Sequence, residues 1–146
     1  MHCQGTKLSR SRVVLKKGVD PYSITVLTDM ILFTGRERVI LERDGEAAIQ
    51  ALKEAVKNSV ECNLWVEVSP ARDAKANGEV KRAMKTVQGQ VRTIKSALEA
   101  NFKTDFNENH VLLPWLIAHA ASLISKMTIA TEGKTSREHT RSRRFT

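Results

Sequence analysis

Cysteine is scarce in this chain. Cys3 and Cys62 show neither metal-ligand spacing nor the makings of a disulfide framework, so each reads as a free thiol. The four histidines are scattered, which argues against a zinc module. Long apolar runs are missing as well: none approaches the length that spans a bilayer. Residues 1–18 carry charges where a signal peptide needs an apolar stretch. The expectation is a soluble, intracellular chain with no membrane partner. Internal repeats and low-complexity tracts are absent.

What is there suits one globular domain. The 146 residues are enough for a single modest core, and 41% apolar with 27% charged residues is ordinary for a folded protein. The charge is unevenly placed. Residues 1–18 hold Lys7, Arg10, Arg12, Lys16 and Lys17 with no acid. Residues 132–146 hold Lys134, Arg137, Arg141, Arg143 and Arg144 against Glu132 and Glu138. These two ends account for the whole net charge of +8, so the middle is neutral. Basic ends on a neutral body fit contact with polyanions and equally fit solvated tails.

Asp20-Pro21 is an N-cap followed by proline at the first helical position, and a helix is predicted from there through Ile24, Leu27, Ile31 and Leu32, with Gly35 closing it. RVILER (38–43) reads as a short strand ending at Asp44-Gly45. An amphipathic helix with Ala48, Leu52 and Val56 on one face follows. NLWVEV (63–68) reads as a second strand closed by Ser69-Pro70, with an irregular stretch to Asn77-Gly78. Beyond it Val80, Met84, Val87, Val91, Ile94 and Leu98 make one apolar helical stripe, and Lys81, Lys85, Gln88, Arg92 and Lys95 repeat the spacing one position later. A last helix is predicted from Pro114, burying Trp115, Leu116, His119, Leu123 and Ile124. After Ala130 a polar, basic tail is expected. This order of elements predicts an α/β fold, helices packed on a small sheet.

Three segments together resemble the catalytic core of long-terminal-repeat retroelement integrases, a ribonuclease-H-like fold. VILERDGEAAIQAL (39–52) is similar to the strand bearing the second active-site aspartate and its following helix. SPARDAKANGEVKRAMKTVQGQVRTIKSALEA (69–100) resembles the active-site loop and the long helix bearing the third carboxylate. LLPWLIAHAASLISK (112–126) with GKTSRE (133–138) resembles the closing helix and its exit. The resemblance implies a partial core over 19–131, a basic N-terminal segment over 1–18 with a remnant strand near 12–16, and a basic tail over 132–146. It also implies an N-terminally truncated sheet, because the family's first aspartate lies on a strand for which there is no counterpart.

In that family, two magnesium or manganese ions held by three carboxylates clamp the attacking and leaving oxygens of a DNA strand transfer. By the resemblance Asp44 matches the second aspartate and is the residual metal ligand. The third carboxylate's place, 37 residues on, is occupied by Lys81, whose ammonium repels a metal cation. Glu79 is the nearest replacement, but two helical positions turn it by about 200°. The resemblance therefore implies a degenerate copy that holds no metal productively. Read from the residues alone, Asp44 is a turn or N-cap residue, and the basic stripe is either a solvated helix face or a surface laid along DNA. His119 reads as a packing histidine and Trp115 as core. DNA or RNA is expected on Lys85, Gln88, Arg92 and Lys95 and on the tail through Arg141, Arg143 and Arg144, with a nuclear location implied by the family's role. The alternatives are a non-catalytic nucleic-acid binder and a homo-oligomerisation module.

Overall fold

A computed structural model describes residues 1–41, 46–60, 62–66, 74–130 and 132–143, with the backbone alone over 74–77. The protein is mixed α/β, with a two-stranded parallel sheet and five helices among the described residues. It divides into two compact units: Val14–Asn77, and Met1–Val13 together with Gly78–Thr146.

In the first unit, α1 (Pro21–Leu32) starts as the sequence dictates. The Asp20 side chain accepts from the Ser23 N–H at 3.0 Å, which satisfies one of the orphan donors of the first turn. Beyond Leu32 the chain turns through Gly35, whose φ of +62° favours glycine. β1 (Arg38–Leu41) and β2 (Asn63–Val66) pair in parallel, Val39 opposite Leu64 and Leu41 opposite Val66, with α2 (Ala47–Lys57) as the crossover. Leu41, Leu64 and Val56 are buried, as are Met30 and Ile31 of α1. The alternate positions form the other sheet face, where the paired Ile40 and Trp65 are 58% and 65% exposed. Lys53 is a departure from helical patterning. It is buried in α2, and its ammonium donates to the Leu41 carbonyl at 2.7 Å, tying the helix to the end of β1.

The second unit is built on α3 (Ala74–Phe102, its residues from Gly78 on), α4 (Leu113–Met127) and α5 (Ser136–Arg141). Residues 1–10 form a turn in which His2 bridges Ser9 and the Cys3 N–H donates to the Leu8 carbonyl at 2.8 Å. Leu8 is buried there. Ser125 of α4 clasps this turn: its hydroxyl accepts from the Ser9 N–H at 3.1 Å and donates to the Ser9 carbonyl at 2.9 Å.

Several expectations are corrected. No strand forms over 12–16, where the chain is irregular and bends from residue 15 on. The ordered N-terminal structure lies earlier, because the apolar Leu8 rather than the cationic segment supplies the anchor. α3 begins at Ala74, so Asn77-Gly78 lies inside a helix and not at the end of a loop. Of the predicted stripe Val87 is buried and Val91, Ile94 and Leu98 are half-buried, while Val80 and Met84 are exposed. Trp115 is not core: it is 56% exposed and stacks on His119, centroids 4.5 Å apart. The face that α4 buries is Leu116, Ala120, Ala121 and Ser125. The tail is not merely polar chain, since Ile129 bridges Thr135 and α5 follows with a full capping box between Thr135 and Glu138.

Candidate nucleic-acid interface

Side chains along α3 recur by about 100° per residue, which puts Lys81, Lys85, Gln88 and Arg92 within an arc of about 60° over about 16 Å of helix. All four are exposed. Arg82 is exposed beside them and went unrecognised by the spacing argument. The missed signal was the distribution of acids: between Glu79 and Glu99 there is none, while Lys81, Arg82, Lys85, Arg92 and Lys95 all lie there.

Both flanking acids are committed. Glu79 accepts from the Lys7 ammonium at 2.7 Å and lies 3.0 Å from the His2 ring nitrogen Nε2. The Lys7 hydrogen bond first, and the His2 contact second, hold its carboxyl below the ordinary range. Glu99 accepts from the Lys95 ammonium at 2.5 Å and from the Phe106 N–H at 2.8 Å, and these two, in that order, lower its carboxyl likewise. Lys95 is therefore half-buried and paired, unlike its neighbours on the stripe. Among the described residues no ion pair engages Lys81, Arg82, Lys85 or Arg92.

The ends of the chain contribute less than their formal charge suggests. Lys7 is paired with Glu79 and Lys17 with Glu46 at 2.5 Å. Arg141 and Arg143 are exposed, and Arg144 lies outside the described residues. Asp44 lies outside them too. Of the other residues proposed for a carboxylate site, Lys81 is an exposed cation and Glu79 already serves Lys7 and His2, so neither fits a divalent metal. Among the described residues no helix is long and apolar enough to cross a membrane. In comparisons with known proteins, no family model and no curated protein matches this chain.

Proposed function

We propose that this protein binds nucleic acid without regard to sequence, through the acid-free basic ridge of α3, and descends from a ribonuclease-H-like integrase core whose strand-transfer chemistry it has lost. The observation that carries the binding is the ridge itself: four exposed cations, Lys81, Arg82, Lys85 and Arg92, on one helix, with the nearest acids tied elsewhere. The order strand, helix, parallel strand, with Asp44 following β1, supports the descent, as do the three sequence segments.

Duplex DNA presents one phosphate charge per about 1.7 Å of axis, so a ridge of about 16 Å meets several phosphates, and each one neutralised releases a counterion. The ammonium and guanidinium groups position the backbone; nothing on the ridge selects a base edge beyond the amide of Gln88. The expected slope of log affinity against log salt is about −3 to −4 for four phosphate contacts, at about −0.9 each. Lys85→Gln with Arg92→Gln is expected to reduce that magnitude by about 2, measured by fluorescence anisotropy on a labelled duplex. A slope near zero in the unaltered chain would remove nucleic acid as a partner.

A further inference from the structure

A second polar site lies at the C-terminal end of the described chain. The Gly133 N–H donates to the Ala130 carbonyl and the Ala130 N–H to the Lys134 carbonyl, each at 2.9 Å, which makes a tight turn with Gly133 at φ +75°. α5 then runs to Ser142, which caps it in the left-handed region at φ +52°. Between these two turns is a cavity of about 270 Å³ lined by Gly133, Lys134, Glu138, His139, Ser142 and Arg143. That is below the roughly 300–1,000 Å³ of pockets for drug-sized ligands, so it suits a small group.

The lining is mostly donors. Lys134 and Arg143 bring an ammonium and a guanidinium fork, and neither side chain has a partner among the described residues. Ser142 adds a hydroxyl. The one carboxylate, Glu138, is committed to the helix cap, its Oε2 accepting from the Thr135 N–H at 2.7 Å. His139 reaches Glu132 at 3.5 Å, and Glu132 stands 77% exposed to water. Two fixed cations, a committed acid and a titratable imidazole suit an anion with several acceptor oxygens; the planar guanidinium gives paired hydrogen bonds and the ammonium a point charge.

We propose that this cavity binds a phosphate group, either free or as the terminal phosphate of a nucleic acid. The site stands on its own geometry and does not depend on binding at α3. The test is an NMR titration of the full chain, following the Gly133 and Ser142 amides, with inorganic phosphate, acetate, and a dinucleotide with and without a 5′-phosphate. Saturable shifts with phosphate and not with acetate are expected, weakened at least tenfold by Lys134→Gln with Arg143→Gln and unchanged by Lys85→Gln. Tighter binding of the phosphorylated dinucleotide than of inorganic phosphate would identify a nucleic-acid end as the ligand; equal binding would identify free phosphate. Both side chains are peripheral, so the double variant keeps its fold, checked by the rest of its spectrum. Shifts that fail to saturate, match those of acetate or persist in the double variant overturn the proposal.

Discussion

Glu79 joins the N-terminal turn to α3 through its contacts with Lys7 and His2, at a sequence separation of more than 70 residues. Its carboxyl is held below its ordinary value of 4.5 by the Lys7 hydrogen bond first and His2 second. A depressed carboxylate stabilises the fold fully above its unfolded value, and that contribution is lost as pH falls through the lowered folded value. Urea unfolding of the protein and of Glu79→Gln should therefore show a stability difference that is present at pH 6 and shrinks below about pH 4.5. A difference that is constant down to pH 3 would mean that the carboxylate charge contributes nothing. Lys53 makes the related point for a cation: buried with its ammonium on the Leu41 carbonyl, it links two elements where helical patterning shows only a polar residue.

The elements differ in how well their backbone is protected. β1 has one partner, β2, among the described residues, and Ile40 and Trp65 leave one face of the pair in water. A two-stranded sheet of four residues per strand is marginal and frays readily. α3, in contrast, closes its own hydrogen bonds along 29 residues and buries Val87. Hydrogen exchange is expected to be much faster at the amides of Val39, Ile40 and Leu41 than over 87–94. Equal, strong protection of both segments would show that further structure covers the sheet. α5 adds a different lesson. Its Thr135 and Glu138 box is a short sequence signature worth about 1 kcal/mol at a helix start, and the basic composition around it obscured that signature.

At the scale of the whole molecule, the proposed descent from an integrase core bears on whether strand-transfer chemistry remains. Two-metal strand transfer needs several anionic oxygens at close range. Lys81 stands where the resemblance places a glutamate, and Glu79 is engaged by Lys7 and His2. Purified protein is expected to give no strand transfer on a DNA substrate with magnesium or manganese, and Lys81→Glu alone is expected not to restore it. Turnover by the unaltered chain that disappears in Asp44→Asn would overturn the proposed loss of chemistry. DNA binding with the salt dependence described above is compatible with that inactivity, since phosphate neutralisation needs cations on a surface and no metal.

Sequence by itself determined the local elements: Asp20-Pro21 the start of α1, alternation and length the two strands, and 3–4 spacing the basic face of α3. These depend on capping, pleat and helical period, which act within a few residues. The irregular stretch to Asn77-Gly78 failed because turn propensity yielded to a helix that begins at Ala74. Tertiary structure decided that the N-terminal cations Lys7 and Lys17 are paired. Lys7 carries the same formal charge as Lys85, yet it is paired with an acid 72 residues away, whereas the Lys95–Glu99 pair is a local i,i+4 contact that helical period already allows. It also decided that Trp115 lies outside and Ala120 and Ala121 inside, because close packing on α4 selects side chains by position and size and not by hydrophobicity alone.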